Sequence, residues 1–378
     1  MGNPWCDYLR AIQHPVTGLL QSFYATTDPQ LHRVAFTYDQ ALVVLALTHG
    51  RQTGEASRVL DFYRVMPFPD PATCDYNTAY RVWRCLPTLE YVFQVGPTSW
   101  VALAMIRYAE ATGRRSFIQK AADLLDWIRR RVDHHCGGVV MGIYEPWSSR
   151  MSVENNWVYY AALRALAERL AEGPMREAVA AEQRGVRRWL GASGGNRGEG
   201  DAVKALDVYT HALLVGPNSH LDDSFAGDQT ALAAWAKSWI GAMEASFRVP
   251  GGSGYDFTDA QEAQYIGRKR VAWLEGTEQA ALAFMTWIPF FEARRDSGFA
   301  RELTTLANEA HAYVLRQALT TRAGLAVPNT DAPEPVRTFS DGWLARPATE
   351  PALNGTTWTY FVGAGFNPFT MPLRDGTA

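Results

Sequence analysis

The sequence predicts an all-α fold in which paired helices close into a toroid, as one domain spanning residues 1–378. Three observations support this prediction. Apolar residues recur at helical spacing along most of the chain, the helices come in pairs with short turns, and long loops rich in Gly, Pro and aromatic residues separate the pairs. No alternation of apolar and polar residues is long enough for a sizeable sheet, which disfavours α/β folds.

Eleven segments have the helical pattern. Residues 98–112 are a strong case, because Gly113 follows them as a helix-ending residue. Ser116 and Ser152 are expected to cap the helices that begin beside them. The predicted helices are residues 38–49, 54–65, 98–112, 117–131, 152–171, 175–190, 203–214, 228–246, 275–294, 297–318 and 354–364.

The loops between the pairs favour a closed toroid over an open solenoid. A solenoid needs polar capping repeats at its ends and usually has short, uniform turns. In a toroid, long loops gather at one rim above a central cavity. Short strands fit the sequence around residues 139–144 or 321–327. The loops are residues 66–97, 132–151, 215–227, 247–274 and 319–353.

Composition excludes several classes of partner. The chain has 36 Lys and Arg against 39 Asp and Glu, a formal net charge of −3, whereas nucleic acids and anionic membranes select a basic excess. No stretch approaches the roughly 18 consecutive apolar residues of a membrane span. The first residues lack a basic region followed by an apolar one, and the four cysteines form no CxxC pair, so a cytoplasmic protein is expected.

Aromatic residues make up 12% of the chain, with 13 Trp, 16 Tyr and 17 Phe. Several of the Trp lie in polar, turn-rich segments, among them Trp147, Trp273 and Trp358. An aromatic ring beside carboxylates and amides suits the apolar face of a sugar ring, although each ring could instead fill space between helices. A small molecule, a saccharide or a glycoside, is therefore the expected partner.

Three carboxylates are candidates for acid–base chemistry. Glu275 follows Trp273 at a loop–helix junction, so it should lie in a partly apolar pocket where its pKa is raised, as a general acid requires. Asp39 opens the helix of residues 38–49, at the expected mouth of the cavity, and Asp256 lies between two aromatic residues in a glycine-rich loop. The alternatives are a helix-dipole partner for Asp39 and an Asx-turn for Asp256.

Further polar and aromatic residues are expected to bind the substrate. One helix begins with Glu154, Asn155 and Asn156, and adjacent amides can hydrogen-bond the diols of a sugar, although a capping role is the alternative for Asn155. Asp207 lies inside an apolar helical stretch, where a carboxylate costs free energy unless it is paired. The predicted substrate-binding residues are Tyr38, Trp147, Glu154, Asn155, Asn156, Asp207, Tyr255, Trp273 and Trp358.

No metal or cofactor is expected. His134, His135 and Cys136 are adjacent, but the sequence has no HxxxH or HExxH spacing. It also lacks a GxGxxG between strand and helix and a GxxxxGK[ST] loop, and no serine-hydrolase elbow can be argued from it.

Several segments together resemble a known superfamily. They are TYDQALVVLAL, TSWVALAMIRYAEATGRRSF, GYDF, WLEGTEQAALAF and NGTTWTYFVGAGFNPF, and the similarity extends from about residue 17 to 370. In these segments the chain is similar to bacterial six-hairpin toroid proteins of the glycoside-hydrolase-like superfamily. The resemblance implies an (α/α)6 toroid with a carbohydrate-like ligand in its central cleft. Members of the superfamily include hydrolases, polysaccharide lyases and sugar epimerases, so the fold does not determine the reaction.

The leading hypothesis is a glycosidase-type hydrolase that uses paired carboxylates. Glu275 would be the general acid, and Asp39 or Asp256 the base that activates water. Inverting enzymes of this kind hold the two carboxyl groups about 6.5–9.5 Å apart, and retaining ones about 5–5.5 Å. The alternatives are a lyase or epimerase with bases such as His211 or His220, a tailoring enzyme for a small hydrophobic metabolite, and a non-catalytic sugar-binding protein.

Overall fold

The computed structural model describes residues 3–65, 76–83, 86, 88–89, 93–135, 137–192, 203–339 and 344–370. Within these residues there are fourteen α-helices and nine short strands. Twelve of the helices form two concentric layers, and the described strands lie in the connections between helices.

Six helices form a closed inner ring, α2 (Thr37–His49), α4 (Val95–Thr112), α6 (Val153–Ala167), α8 (Leu206–Leu214), α12 (Leu274–Ala293) and α14 (Leu353–Ala364). Each packs against the next in this order, and the last packs against the first. Residues from the first two turns of α2, α12 and α14 are hydrogen-bonded to one another. The N-terminal ends of these helices therefore lie at the same end of the ring.

Six helices form the outer layer, α1 (Pro4–Ala11), α3 (Thr53–Val65), α5 (Ser116–Arg131), α7 (Pro174–Ala192), α10 (Gln229–Phe247) and α13 (Ser297–Arg316). Five of them pack on the inner helix that precedes them, giving the pairs α2–α3, α4–α5, α6–α7, α8–α10 and α12–α13. The sixth pair joins the two ends of the chain, because α1 packs against α14. This closure is that of a toroid and not of a solenoid.

The two layers are buried in different ways. In the inner helix α2, every residue from Asp39 to Thr48 is buried. The outer helix α13 buries a single stripe, which consists of Ala300, Leu303, Ala307, Ala310 and Val314. Spacings of three and four residues are typical of an amphipathic helix with one face on the core, whereas a helix that is apolar all round is enclosed by its neighbours.

The helix ends agree with two of the three predicted positions. Gly113 ends α4 with a φ of 73°, in the left-handed region that glycine adopts without strain. The Ser152 hydroxyl caps α6 by accepting a hydrogen bond from the Asn155 amide at 3.2 Å. The prediction that Ser116 is a cap is wrong. Ser116 is the first residue of α5, because Arg115 before it already has α-helical backbone angles.

The strands form small antiparallel sheets. The pairs are β1 (Val34–Phe36) with β2 (Ala79–Arg81), β3 (His134–His135) with β4 (Gly138–Val139), β7 (Val336–Arg337) with β8 (Leu344–Ala345), and β6 (Gly324–Pro328) with both β5 (Leu319–Thr321) and β9 (Pro351–Ala352). Strands β4 and β6 overlap the two regions where the sequence predicts strands. Pro328 is opposite Pro351, and β9 leads directly into α14, so this sheet fixes where that inner helix begins.

Three short helices were not predicted, α1, α9 (Gly216–Asp223) and α11 (Ala260–Tyr265). Each has eight residues or fewer, which is too short for the periodic pattern to be distinguished from a loop. None of the helices in the described residues is both long enough and apolar enough to cross a membrane.

Candidate active site

Glu275 lies in the first turn of α12, buried at 3% exposure. The helix begins after Trp273, whose indole covers this turn and stacks on the ring of Phe257 with 4.8 Å between centroids. Gly276 permits this arrangement, because a Cβ there would overlap the Trp273 ring. The carboxyl therefore stands beside an indole at a loop–helix junction, as the sequence predicts.

Two side chains donate hydrogen bonds to the same oxygen of Glu275. The Tyr38 hydroxyl lies 2.5 Å from Oε1, and Nε2 of Gln279 lies 3.3 Å from it. Burial holds the pKa of Tyr38 well above 10, so this hydroxyl keeps its proton and remains a donor. Because both bonds go to Oε1, Oε2 is the oxygen placed to carry the proton of the neutral acid.

Burial raises the pKa of Glu275 to about 8. The hydrogen bond from Tyr38 acts in the opposite direction, while the negative charges of Asp39 and Asp207 raise the pKa further. Near neutral pH, Glu275 is therefore largely protonated, the state that a general acid requires.

Asp39 is the third residue of α2 and is also 3% exposed. Burial raises its pKa to about 7, against the effect of a hydrogen bond with Ser22. Because the charge of Asp39 raises the pKa of Glu275, the two carboxyl groups titrate as an interacting pair. Both carboxyl groups therefore titrate well above the usual range for their type.

Other inner helices contribute Asp207, Glu154 and His211 to this region. Asp207 is in the first turn of α8, close enough to Glu275 to raise its pKa. Glu154 is in the first turn of α6, with Oε1 at 3.7 Å from Nδ1 of the buried His211. Burial lowers the pKa of His211 to about 3, against the opposite effect of a hydrogen bond with the backbone of Glu154. The imidazole is therefore neutral at physiological pH.

Aromatic rings surround the carboxyl groups on one side. Trp358 of α14 donates from Nε1 to the hydroxyl of Tyr38 at 2.9 Å. Trp100 of α4 lies between these two rings, with its centroid 5.6 Å from that of Tyr38 and 6.2 Å from that of Trp358. Tyr38 and Trp358 are thus next to Glu275, as the sequence predicts for substrate-binding residues.

Asp256 is held in a different cluster. It is fully buried, Oδ1 lies 2.7 Å from Nη2 of Arg268, and Oδ2 lies 2.6 Å from Nε of Arg270. The amides of Phe257 and Val271 also donate to it. A carboxylate held by two guanidinium groups and two amides has no oxygen left for a water molecule or a substrate. The sequence predicts Asp256 as a possible base, whereas these contacts tie its carboxylate to Arg268 and Arg270.

Asn156 and Tyr255 also have their polar atoms engaged within the protein. The side chain of Asn156 hydrogen-bonds both backbone groups of Val139 and the carbonyl of Ser152. The hydroxyl of Tyr255 donates to Glu244, on the outer helix α10. These contacts fasten loops and the outer layer to the ring.

Trp147 and Asn155 have other neighbours. Trp147 is half-buried in a short 3-10 helix, with the guanidinium of Arg150 at 5.7 Å from its ring centroid. The side-chain oxygen of Asn155 packs so closely against Gly96 that a Cβ there would overlap it. In this structure neither residue touches Glu275.

Sequence reasoning missed Gln279 and Trp100. Gln279 follows Glu275 by four residues, so helical spacing alone places both on one face of α12, and Thr210 fixes its amide by donating to Oε1 at 2.8 Å. Trp100 has no such signal, because it lies in a largely apolar helix in which nearly every residue is buried.

Within the described residues, no three His, Cys, Asp or Glu side chains meet in an arrangement that could hold a metal ion. No described Arg or Lys forms an ion pair with Asp39 or Glu275. An open groove of about 910 Å³ lies elsewhere, between the end of α10 and α13, and Arg248, Tyr313 and Arg316 contribute to its lining. It includes none of the carboxyl groups described above.

Comparison with solved structures identifies similar toroids. A cellobiose 2-epimerase from Spirochaeta thermophila has a TM-score of 0.67 at 15% identity, over 96% of this chain and 92% of that one. A sugar epimerase from a ruminal bacterium has a TM-score of 0.64 at 12% identity, over 96% of both chains. A wild-type glycosidase has a TM-score of 0.62 at 13% identity, over 96% of this chain and 95% of that one.

No protein-family model and no curated protein matches the chain. At these low identities, the similarity to the solved structures establishes the fold and leaves the reaction open. The chain therefore has an (α/α)6 toroid fold, which is the fold that the sequence predicts.

Proposed function

We propose that the chain is a carbohydrate-active enzyme, a glycosidase-type hydrolase with Glu275 as the general acid and Asp39 as the base. The observation that carries this proposal is the pairing of two buried carboxyl groups with raised pKa values, about 8 for Glu275 and about 7 for Asp39. Their order matches the order of the two roles. The fold, which it shares with sugar epimerases and a glycosidase, supports a saccharide or a glycoside as substrate.

In this mechanism, Glu275 donates its proton to the glycosidic oxygen as the bond from that oxygen to the anomeric carbon breaks. The bonding electrons remain on the leaving oxygen, which becomes a hydroxyl group. Water attacks the anomeric carbon, and its proton passes to the Asp39 carboxylate. Tyr38 keeps Oε1 of Glu275 occupied, so the transferred proton comes from Oε2.

Asp39 is a better candidate for the base than Asp256. A base needs an oxygen that is open to the attacking water, and the oxygens of Asp256 are bound by Arg268 and Arg270. The charge of Asp39 also acts on Glu275, which supports its place in the same site. Asp256 is therefore proposed to hold the loop that precedes α12.

The substrate would bind against the polar and aromatic side chains that surround the carboxyl pair. Tyr38 and Trp358 present ring surfaces suited to the CH face of a sugar, and Asp207 and Glu154 accept hydrogen bonds from hydroxyl groups. The absence of nucleic acid and membrane partners remains a prediction from the sequence, and so does the cytoplasmic location.

A sugar epimerase is the second candidate, favoured by the epimerases among the similar structures and by His211 in the ring. Epimerisation beside a carbonyl needs a base that removes a carbon-bound proton. With a pKa of about 3, His211 is a weak base near neutral pH, which favours hydrolysis.

Incubation with cellobiose in D₂O, followed by chromatography and mass spectrometry, distinguishes these candidates. Hydrolysis releases glucose and leaves carbon-bound hydrogens unlabelled. Epimerisation gives an isomeric disaccharide that carries deuterium and releases no glucose. Binding without either product supports a sugar-binding protein, and the absence of both binding and turnover for a panel of saccharides contradicts the proposal and favours a hydrophobic metabolite.

A further inference from the structure

The chain turns back under the ring after its last helix. α14 ends at Gly365, whose φ of 61° lies in the left-handed region. The next residue, Phe366, stacks on His49 with ring centroids 4.4 Å apart and an angle of 25° between the planes. His49 is the last residue of α2, so this turn lies at the C-terminal end of the ring, opposite the carboxyl pair.

The following residues cross that end of the ring. Asn367 donates from Nδ2 to the carbonyl of Leu214 at 2.7 Å and to Thr286 Oγ1 at 3.0 Å. Leu214 ends α8, which stands three places from α2 in a ring of six. Arg107 of α4 donates to the carbonyl of Thr370 at 2.5 Å. The segment 365–370 therefore spans the ring and is fastened to helices on both sides of it.

Phe369 points from this segment into the ring interior. It is 6% exposed, and its ring centroid lies 5.0 Å from that of Trp100 and 5.0 Å from that of His211. Trp100 in turn contacts Tyr38, the hydrogen-bond donor to Glu275. Trp100 is thus the one side chain between Phe369 and Tyr38, and Phe369 approaches it from the side opposite the N-terminal ends of the helices.

We infer that residues 365–370 form the floor of the ring interior, and that Phe369 sets how far a ligand can enter it. A benzene ring offers no strong hydrogen bond, so the floor accepts an apolar surface and keeps water from His211. His211 is buried, as expected for a ring closed off from solvent on this side. The contacts of residues 365–370 with the ring helices are the evidence for the floor, whereas its role toward a ligand rests on the proposed function.

The first experiment follows the ionisation of His211 by NMR in the full-length protein. Phe369→Ala should admit water and raise the pKa of His211 from about 3 by about one unit or more, since burial is what depresses it. The Glu154 carboxylate, whose Oε1 lies 3.7 Å from Nδ1 of His211, should also raise this pKa once water is present. Phe366→Ala removes a ring from the same segment at its edge, and the ionisation of His211 should not change.

Phe369→Leu keeps an apolar side chain and should raise the pKa of His211 by a smaller amount. This variant provides the test if Phe369→Ala does not fold. Equal His211 titration in wild type, Phe369→Leu and Phe369→Ala would overturn the floor. Equal shifts in the Phe369 and Phe366 variants would overturn it too, because they would reflect a general loosening of the segment.

The second experiment tests depth with two probes, glucose and octyl β-D-glucoside, whose dissociation constants are measured by calorimetry. In Phe369→Ala, the space left by the phenyl ring can take part of the alkyl chain. The ratio of the two dissociation constants should therefore change by about tenfold in favour of octyl glucoside, compared with the same ratio in Phe366→Ala. An unchanged ratio would overturn the role of Phe369 in ligand depth. If wild type binds neither probe, the proposed function is contradicted, and the His211 titration alone decides the floor.

Discussion

The hydroxyl of Tyr38 donates a hydrogen bond of 2.5 Å to Oε1 of Glu275, although 237 positions separate the two residues in the chain. Tyr38 is in the first turn of α2 and Glu275 in the first turn of α12. Between these helices stands α14, whose Trp358 donates to the same hydroxyl at 2.9 Å. Three inner helices therefore meet at one phenol oxygen, and the closure of the ring fixes the orientation of the proposed general acid.

Tyr38→Phe tests this orientation. Its hydroxyl lowers the pKa of Glu275, so its removal should raise that pKa and move the loss of activity at alkaline pH to higher values. The rate should fall roughly tenfold, because the acid proton is no longer directed to Oε2. The control is Tyr360→Phe, which removes a hydroxyl of α14 that is hydrogen-bonded to His49 of α2. This variant should leave the pH profile unchanged. An unaltered profile in Tyr38→Phe would separate Tyr38 from the acid.

The pH dependence of kcat/KM should be bell-shaped with its maximum between about pH 7 and 8. Activity requires Asp39 to be ionised, which holds above its pKa of about 7, and Glu275 to be protonated, which holds below about 8. Because the two groups interact, the two limbs report the pair. Steady-state rates from pH 5 to 10 provide the measurement, and a plateau that continues to pH 5 would remove Asp39 as the base.

Asp256→Asn tests whether Asp256 is structural, in contrast to the proposed catalytic carboxyl groups Glu275 and Asp39. The change leaves Arg268 and Arg270 without their buried counter-charge, so we expect a loss of about 3–5 kcal/mol in the free energy of unfolding. Turnover per folded molecule should stay near that of wild type. Urea denaturation and active-site titration measure the two quantities. A loss of turnover with unchanged stability would return Asp256 to the mechanism.

Glu350 should contribute to stability in a pH-dependent way. Burial raises its pKa, but hydrogen bonds from Arg346 and from Thr26 and Thr27 outweigh burial and leave it at about 2. Since the pKa is lower in the folded state, the contribution is present above the unfolded value of about 4.3 and is lost as the pH falls toward 2. Glu350→Gln should lower stability at pH 7 and flatten its decline in acid, whereas Glu309→Gln, at a half-exposed pair, should not. Urea midpoints at pH 7, 4 and 3 test this.

The periodicity of the sequence predicts most helices because the two layers have recognisable patterns. Outer helices such as α13 show a single apolar stripe, and inner helices such as α2 are apolar all round. The helix α1, which completes the sixth pair, was missed. Its eight residues give too little periodicity, and its contact with α14 joins segments that are distant in the sequence.

The site is predictable only where local sequence determines it. Glu275 and Asp39 can be proposed from the sequence because both lie in the first turn of an inner helix, and these turns meet at one end of the ring. Asp256 looked equivalent, since an acidic residue in a loop does not reveal its partners, and Arg268 and Arg270 are brought to it by the return of the loop. The floor residue Phe369 depends on where the chain end crosses the ring, for which the sequence has no local signal.

The proposed acid–base mechanism depends most directly on Glu275, and Glu278→Gln is a matched control for Glu275→Gln. Glu278 is also fully buried in α12, but its two oxygens each lie 3.0 Å from Nδ1 of His311 on the outer helix α13, so its substitution should lower stability and leave turnover intact.

The decisive measurement is kcat of Glu275→Gln on whichever saccharide the wild-type protein turns over, beside its substrate dissociation constant and melting temperature. The amide keeps the shape of the side chain and can still accept the hydrogen bond from Tyr38, but it has no acidic proton. The account predicts normal folding and binding with a rate lowered by about 10²–10⁴-fold. Turnover near that of wild type in this variant would contradict it.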